Sequence, residues 1–560
     1  MKPFILFLLA FIFITACKKQ EFDIIVRGGM VYDGSGKPGT MNDVGINGDT
    51  VAYVGDLSDA IAKSDIDAKG LAVAPGFINM LSHAETSLLF DGNSESDIRQ
   101  GVTLEVFGEM SMGPMNEQMK KDEADMMKHD PDWAYTIDWT TLGEYLESLE
   151  RKGISPNVAS FVSASTVRVH ELGYANRPPS SDELERMKAL VKQAMEEGAM
   201  GVTTALIYAP ANYASTDELI ELNKVASTYG GMYIAHIRSE GNAIFEAVDE
   251  TIRIAREANV PAEIYHLKFS GKDNWSKIDS VIAMIDKANQ SGLHITADMY
   301  TYIAGATGLD AAMPPWLQEG GINEWIKRMK DPVFRKKALQ EMRTPTNKWE
   351  NLMMLAGDFD KVLLLGFTND SLRKNFTGMT LGQVAKIYGK SPEETAMDLV
   401  ITDGTRVGTA YFLMTEDNVK RQIALPYVSF GSDAESSTAA GNFLKVPTHP
   451  RAYGNFSRLL GKYVRDEKVI PLEDAIRRLT SLPANNLKIK KRGLLTPGYF
   501  ADLAIFDPTK IADYATFENP HQYSTGMVHV FVNGEQVLNN GKHTHARPGR
   551  VVRGPGWKGK

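Results

Sequence analysis

Apolar runs of strand length alternate with amphipathic helical segments through the middle of the chain. Eight runs have the length and apolar content of buried strands, at 71–83, 102–109, 157–164, 201–206, 232–236, 262–268, 294–300 and 427–433. Segments with helical periodicity, such as 182–197, 216–229 and 243–258, lie between them. This alternation predicts a parallel sheet covered by helices. Eight such units predict an α/β fold of the (β/α)₈ TIM-barrel type, with catalytic groups at the C-terminal strand ends.

Both ends of the chain have a different pattern, with short alternating runs broken by glycine. Residues 22–70 have this pattern, and it returns at 499–507 and again around the turn signal Asn533-Gly534. We therefore expect one small β-sandwich domain built from both termini, with its first part at 22–70 and its second part at 486–552. The barrel then occupies 71–485.

A long stretch separates the seventh and eighth strand candidates, at about 310–426, and it is rich in Pro, Lys and Met. It is too long for a simple loop. The sequence predicts a helical insertion over the mouth of the barrel.

The first residues resemble the signal of a bacterial lipoprotein. A basic start is followed by an apolar run from Phe4 to Ile14, which is too short to span a bilayer. The run ends in Ile14-Thr15-Ala16-Cys17, similar to a lipobox, in which the cysteine is lipidated. We expect residues 1–16 to be a signal peptide and Cys17 to anchor the protein in a bacterial cell envelope, in the periplasm or at the outer membrane. The alternative is an ordinary cleaved signal followed by a chance cysteine.

Composition narrows the classes of partner. The 560 residues are 43% hydrophobic and carry a net charge of −9, which argues against a nucleic-acid partner. Cys17 is the only cysteine, so the chain can form no internal disulfide and offers no second thiolate to a metal. A small-molecule substrate, with membrane contact only through the lipid, fits these features.

Four strand ends carry groups suited to a hydrolytic metal site: Glu109, His236, His266 and Asp433. Such a site needs imidazoles and carboxylates converging on one ion, with a position left open for water. Any one of these residues alone is more typical of an ordinary core position. Because all four lie at matching strand ends, and strands five and six are neighbours in a barrel, the metal site is the favoured interpretation.

Several longer motifs are similar to those of one enzyme family. They are Tyr233-Ile234-Ala235-His236-Ile237-Arg238-Ser239-Glu240-Gly241, Ile264-Tyr265-His266-Leu267-Lys268, Gly431-Ser432-Asp433-Ala434, His449-Pro450-Arg451-Ala452-Tyr453-Gly454, Arg492-Gly493-Leu494-Leu495-Thr496-Pro497-Gly498 and His545-Ala546-Arg547-Pro548-Gly549-Arg550. In this order, over roughly 22–552, they resemble the D-aminoacylase, or N-acyl-D-amino-acid deacylase, family of the amidohydrolase superfamily. The resemblance implies a barrel flanked by a β-sandwich.

The resemblance also implies roles for individual residues. His236 and His266 match the two histidine ligands of a tightly bound zinc ion, and Asp433 matches the general base and acid. The family's third ligand is typically a cysteine, but Met110 stands at that position. A thioether is a poor zinc ligand, so we expect Glu109 to replace it. The alternative is that Glu109 only caps a loop.

The first strand departs further from the pattern. The superfamily's His-x-His reads Leu81-Ser82-His83 here, so only the second histidine is present. We therefore expect no complete second metal site but a single ion, zinc or another divalent metal. His83 is then either an auxiliary ligand or a polar residue of the pocket.

Further residues match groups that hold the substrate. Lys268 and Tyr300 lie where the family binds the substrate carboxylate and polarises the scissile carbonyl, although Lys268 could instead face the surface. Arg451 and Arg238 could supply a bidentate fork for a carboxylate. For Arg238 we favour a salt bridge with Glu240.

These features together predict metal-dependent hydrolysis of the amide bond of an N-acyl-D-amino acid, or of a dipeptide with a D-residue, to a carboxylic acid and a D-amino acid. One alternative is opening of a cyclic amide, as in hydantoinases and dihydroorotases, which usually use two metals. Another is a solute-binding lipoprotein that kept the barrel and lost catalysis.

Overall fold

The structure is a computed structural model that describes residues 20–128 and 131–559. The expected signal peptide and the lipidation residue Cys17 lie outside the described residues. Among the helices that are described, none is long and apolar enough to cross a membrane.

The strands and helices have the following bounds. The strands are β1 Glu21–Val31, β2 Thr40–Asn47, β3 Thr50–Gly55, β4 Ile61–Asp67, β5 Ala72–Pro75, β6 Phe77–Ser82, β7 Val102–Phe107, β8 Asn157–Ser160, β9 Val162–Ser163, β10 Gly201–Ala205, β11 Met232–His236, β12 Ala262–Ile264, β13 Ile295–Met299, β14 Ala304–Gly308, β15 Val362–Gly366, β16 Gly408–Phe412, β17 Val428–Phe430, β18 Leu503–Phe506, β19 Met527–Val532, β20 Glu535–Asn539 and β21 Lys542–His543. The helices are α1 Ser87–Phe90, α2 Glu95–Ile98, α3 Glu117–Met127, α4 Leu142–Lys152, α5 Ala164–Leu172, α6 Ser181–Glu196, α7 Thr216–Thr228, α8 Ile244–Glu257, α9 Ile278–Gln290, α10 Ile322–Lys330, α11 Pro332–Met342, α12 Leu352–Ala356, α13 Asp370–Phe376, α14 Leu381–Tyr388, α15 Pro392–Asp403, α16 Glu416–Ile423, α17 Arg451–Arg458, α18 Leu472–Leu479 and α19 Ser481–Asn486.

Parallel strands form the predicted (β/α)₈ barrel. Strands β6, β7 and β8 pair in that order, and β9 through β13 continue to β17. Strands β8 and β9 are consecutive pieces of one barrel position. The barrel closes where Ser82 pairs with Ala434, supported by a 2.9 Å hydrogen bond from the Asp433 N–H to the Leu81 carbonyl. Its interior is filled by apolar side chains such as Ile78, Leu104 and Ile234. The barrel prediction is confirmed.

A nine-stranded sheet draws strands from both ends of the chain, as the sequence predicted. Strands β18 to β21 from the C-terminal end join β1 to β4 through β5. The run at 71–83, expected to be one barrel strand, is divided between this sheet and the barrel. The division falls at Gly76, where a Cβ atom would lie 2.1 Å from Thr103 Oγ1, so β6 can pass close to β7 only without a side chain there.

The insertion between the seventh and eighth barrel strands has its own core. It contains helices α10 to α15 around buried residues such as Trp325, Leu364 and Tyr411. It also contains an antiparallel sheet, β14-β16-β15, which the sequence did not predict, since β14 consists only of small residues. Helix α16, which falls within the expected insertion at 310–426, instead packs Val419 and Ile423 into the barrel core.

Candidate active site

Polar side chains from five barrel positions converge at the C-terminal end of the barrel. His83 follows β6, Glu109 follows β7, and His236 is the last residue of β11. His266 and Asp433 lie two and three residues beyond the ends of β12 and β17. The structure thus brings together all the residues that the sequence proposed for the metal and for proton transfer.

The backbone is strained at three of these positions. Glu109, His266 and Asp433 have positive φ angles of 63°, 34° and 50°, in the left-handed region that side chains other than glycine rarely adopt. Such a conformation costs about 1–3 kcal/mol per residue and persists only where surrounding contacts impose it. At Gly108, a Cβ atom would lie 1.9 Å from the Tyr265 hydroxyl, so only glycine lets the chain turn there and present Glu109.

Glu109, His236 and His266 form one compact group of donor atoms. Glu109 Oε1 lies 3.0 Å from His236 Nδ1 and 2.9 Å from His266 Nε2. All three ligand atoms lie within 4.8 Å of one another, and each residue is at least nine-tenths buried. Met110, at the position of the family's cysteine, is instead 57% exposed. The geometry therefore favours Glu109 as the carboxylate partner of the two histidines.

A second group shares the same carboxylate. His83 Nε2 lies 3.0 Å from Asp433 Oδ1 and 3.9 Å from Glu109 Oε2. The ligand atoms of His83, Glu109 and Asp433 also lie within 4.8 Å of one another. Leu81, which replaces the first strand-one histidine, is fully buried in the barrel core. This second group therefore offers one imidazole where the first offers two.

Neighbouring cations keep Asp433 ionised. Burial favours its neutral form, but Arg451 Nη1 at 2.8 Å from Oδ2, together with His266 and the His83 hydrogen bond, holds the pKa of Asp433 well below its usual range. Burial likewise opposes protonation of His83, yet the Asp433 hydrogen bond and nearby carboxylates raise its pKa to about 9. At neutral pH the pair is a carboxylate and an imidazolium. Asp433 is therefore available to accept a proton.

Glu240 is a buried residue of the site to which the sequence assigned no role there. Its Oε1 lies 2.6 Å from Lys268 Nζ and 3.0 Å from His266 Nδ1. Burial opposes its ionisation, but Lys268 and the two histidines lower the pKa of Glu240 to about 2. The one feature of the sequence that could have indicated Glu240 as a site residue is its position four residues after His236. The turn after β11 brings Glu240 back to the barrel mouth in which His236 lies.

The expected salt bridge between Arg238 and Glu240 does not form. Arg238 binds Glu250 on α8 at 2.9 Å and donates to two backbone carbonyls outside the site. The physical reason is competition, since Lys268 already satisfies Glu240. Lys268 is buried, which excludes the surface-facing alternative.

Two of the expected substrate-binding residues carry buried polar atoms without partners. The Tyr300 hydroxyl and Arg451 Nε make no hydrogen bond within the described part of the chain. The Arg451 guanidinium lies over the Tyr300 ring, with Cζ 4.5 Å from its centroid, and Lys268 Nζ lies 5.4 Å from the same ring. Burial raises the pKa of Tyr300 to about 12, so its hydroxyl remains a donor at neutral pH.

These residues line a cavity of about 760 Å³ at the barrel mouth. The insertion contributes Trp325, Leu365 and Arg406 to its wall, and the segment after β7 contributes Met112 and Met115. A cavity of this size holds a small organic molecule. A barrel with converging histidines and carboxylates at its C-terminal end and a β-domain built from both termini defines an amidohydrolase.

Comparison with known proteins gives the family. A model of the amidohydrolase family matches residues 372–538. The chain is 33% identical to a D-aminoacylase of Alcaligenes xylosoxydans xylosoxydans, over 95% of this chain and 98% of the relative. It is 29% identical to an N-acyl-D-glutamate deacylase of the same organism, over 96% and 97% of the two chains. The chain therefore belongs to the D-aminoacylase family of amidohydrolases, enzymes that hydrolyse carbon–nitrogen bonds other than peptide bonds.

Solved structures agree with this assignment. The N-acyl-D-glutamate deacylase of Bordetella bronchiseptica, complexed with zinc and a phosphonate mimic of the tetrahedral intermediate, has a TM-score of 0.79 at 28% identity, covering 95% of this chain and 100% of that one. A D-hydantoinase from a Bacillus species matches with a TM-score of 0.54 at 14% identity, covering 96% and 100%, and shares the fold alone. The cyclic-amide alternative rests on the shared fold and on a local match to a dihydroorotase of Lactobacillus acidophilus, 39% identical over 16% of this chain and 22% of the relative. Family membership argues against the non-catalytic alternative.

Proposed function

We propose that this protein hydrolyses the amide bond of N-acyl-D-amino acids, or of a dipeptide with a D-residue, and releases a carboxylic acid and a D-amino acid. The observation that carries the proposal is the convergence of Glu109, His236 and His266 beside an ionised Asp433. The family relatives support the substrate class, because a D-aminoacylase and two deacylases of acidic N-acyl-D-amino acids align over nearly the whole chain.

The residues present fit a divalent ion. Two imidazole nitrogens and a carboxylate oxygen, buried and within 4.8 Å of one another, are a donor set that zinc accepts. We propose one zinc ion per chain, held by Glu109, His236 and His266. A related D-aminoacylase, whose centre is binuclear, is activated by one metal and attenuated by the second, which supports a single working ion here.

The remaining chemistry belongs to residues of this chain. A bound divalent ion supplies Lewis acidity and activates water. Asp433, ionised and paired with Arg451, accepts the proton of the attacking water and then gives it to the departing amine nitrogen. The Tyr300 hydroxyl, which lacks a partner among the described residues, can donate to the carbonyl oxygen as negative charge develops there. Arg451 and Lys268 provide positive charge for the substrate carboxylate.

The test is an assay of N-acetyl and N-formyl amino acids and of dipeptides, each in D and L forms, with and without a chelator. We expect chelator-sensitive hydrolysis of D forms, and loss of most turnover with retained zinc in Asp433→Asn. Near-normal activity of Asp433→Asn would exclude its role as the base. Zinc-loaded protein that hydrolyses none of these compounds would exclude the substrate class.

Metal analysis tests the single-ion proposal. Purified protein should hold one zinc ion per chain, and His83→Ala should keep it while losing turnover, because His83 contacts Asp433. Two ions in the native protein, falling to one in His83→Ala, would show instead that His83 is a ligand of a second site.

We also propose that the mature protein is anchored in the bacterial cell envelope by a lipid on Cys17. The support is the sequence of the segment at 1–17 alone. In a bacterial host, Cys17→Ser should move the protein from the membrane fraction to the soluble fraction without altering its specific activity. An unchanged distribution would favour the ordinary cleaved signal.

A further inference from the structure

A buried polar cluster lies directly behind the segment that carries Asp433. Residues Asn79 on β6 and Glu105 on β7 are paired neighbours in the barrel wall. Their strand neighbours Ile78 and Leu104 face the barrel interior, so by alternation Asn79 and Glu105 face the outer helices. Asp97 of α2 contacts both, and all three polar residues are fully buried.

Asn79 is the link between this cluster and the catalytic segment. Its Oδ1 accepts a 2.8 Å hydrogen bond from the Ser432 N–H, and its Nδ2 lies 2.8 Å from Ser432 Oγ. The same Nδ2 lies 3.1 Å from Glu105 Oε2 and 3.4 Å from Asp97 Oδ2. A backbone N–H can only donate, which fixes Oδ1 toward Ser432 and Nδ2 toward the acids.

The two acids hold the amide of Asn79 in this orientation. Burial and the neighbouring Glu105 raise the pKa of Asp97 well above its usual range. Glu105 is further fixed by a 2.9 Å hydrogen bond from Ser94, which also contacts Ser436 at 2.6 Å. The cluster therefore contacts the catalytic segment on both sides of Asp433.

Asp433 needs such support because its backbone is in the left-handed region, with a φ of 50°. We propose that Asn79 is a positioning residue, which fixes Ser432 and thereby holds the strained turn that aims the Asp433 carboxylate at the substrate. This inference rests on the proposed role of Asp433 as base and acid. Nothing in the arrangement requires Asn79 to touch substrate or metal.

The test compares Asn79→Ala with Asn157→Ala. Asn157 is an equally buried asparagine on β8, but its amide holds Thr103, Asp502 and Asn533 rather than the catalytic segment. Asn79→Ala should lower kcat about 10- to 100-fold, the effect of a misplaced catalytic group, with KM and zinc content within about twofold of the native values. Asn157→Ala should lower stability and leave kcat within about twofold.

Hydrogen exchange gives a readout that does not depend on turnover. The peptide spanning 428–437 should exchange faster in Asn79→Ala and at the native rate in Asn157→Ala. If Asn79→Ala does not fold, Ser432→Ala, which removes only the side-chain half of the contact, carries both measurements with a smaller effect in the same direction.

An unchanged kcat in Asn79→Ala, an equal loss in Asn157→Ala, or unchanged exchange at 428–437 would overturn the positioning role. Failure of the proposed function has a different signature, namely no hydrolysis by the native protein or near-native activity of Asp433→Asn. In that case the exchange measurement still decides whether Asn79 holds the turn.

Discussion

The backbone conformation of Gly108 and Glu109 positions the Glu109 carboxylate in the site. Gly108 must turn where a Cβ atom would collide with Tyr265, and Glu109 then adopts a positive φ that turns its carboxylate toward His236 and His266. Met110, the next residue, is left at the surface of the cavity. The sequence predicted that Met110 does not replace a cysteine ligand, because a thioether is a poor zinc ligand, and that Glu109 takes its place. Only the backbone geometry brings Glu109 to the two histidines.

Replacing Glu109 tests this arrangement. Glu109→Gln keeps the shape of the side chain but removes the negative charge beside His236 and His266, so we expect zinc affinity to fall by at least about 10- to 100-fold and turnover to fall with it. Metal content after dialysis against a chelator measures the first effect. Met110→Ala is the matched control and should keep both properties. Zinc retained in Glu109→Gln and lost in Met110→Ala would reverse the assignment.

Replacing Tyr300 should affect turnover and stability differently. Its hydroxyl is buried and has no hydrogen-bond partner among the residues described, so Tyr300→Phe removes an unsatisfied group. We expect an unchanged or slightly higher free energy of unfolding, together with a kcat lower by about 10- to 1,000-fold if the hydroxyl stabilises the developing oxyanion. Urea denaturation and steady-state kinetics measure the two quantities. A destabilised variant with normal kcat would show that the hydroxyl is structural.

At the scale of elements, the strand ends were the predictable part of the site. Apolar runs bounded by polar residues located the strands, and barrel geometry placed His236 and His266 in one mouth. The pairing of side chains was less predictable. Arg238 is two residues from Glu240 in sequence and Lys268 is 28 residues away, and only the three-dimensional path of the chain after β11 shows that Lys268 is the one that reaches Glu240. The small-residue strand β14 gave no hydrophobic alternation to detect.

Glu263 on β12 connects three barrel strands inside the barrel and should make stability depend on pH. It accepts hydrogen bonds from Thr296 at 2.5 Å, Asn486 at 3.0 Å and Ser429 at 3.3 Å, and burial raises its pKa to about 7 from 4.5. The folded protein therefore binds this proton more tightly than the unfolded chain. The stabilisation is complete below about pH 4.5 and is lost as the pH rises through 7, by roughly 3 kcal/mol.

Glu263→Gln should remove this dependence, because its side chain does not titrate. Urea titrations give the free energy of unfolding of the native protein and of the variant. The advantage of the native protein over the variant should shrink between pH 5 and pH 8, or change to an advantage of the variant. Native and variant curves that stay parallel over this range would show that Glu263 does not take up the proton on folding.

At the scale of the whole molecule, the β-domain meets the barrel at a buried ion pair. Arg492 binds Asp502, and both side chains are less than 8% exposed. Arg492 also donates to Asn533 Oδ1 at 2.8 Å, while Asp502 Oδ1 accepts from the Asn533 N–H at 2.8 Å and from Asn157 of the barrel at 3.4 Å. The sequence identified Arg492 and the Asn533 turn separately, but two segments 41 residues apart show no local pattern that would predict their contact.

Breaking this ion pair should lower the stability of the protein without changing its kcat, because the pair lies away from the cavity. Arg492→Met leaves the Asp502 carboxylate buried without its cation, which typically lowers stability by about 3–5 kcal/mol. Removing both charges in Arg492→Met/Asp502→Asn leaves no uncompensated charge, so the double variant should recover part of that loss. Denaturation midpoints measure both, and kcat at a temperature where each variant is folded should be native, because no atom of the pair lines the cavity. A double variant less stable than Arg492→Met would show that the hydrogen bonds of Asp502, rather than its charge pairing, join the β-domain to the barrel.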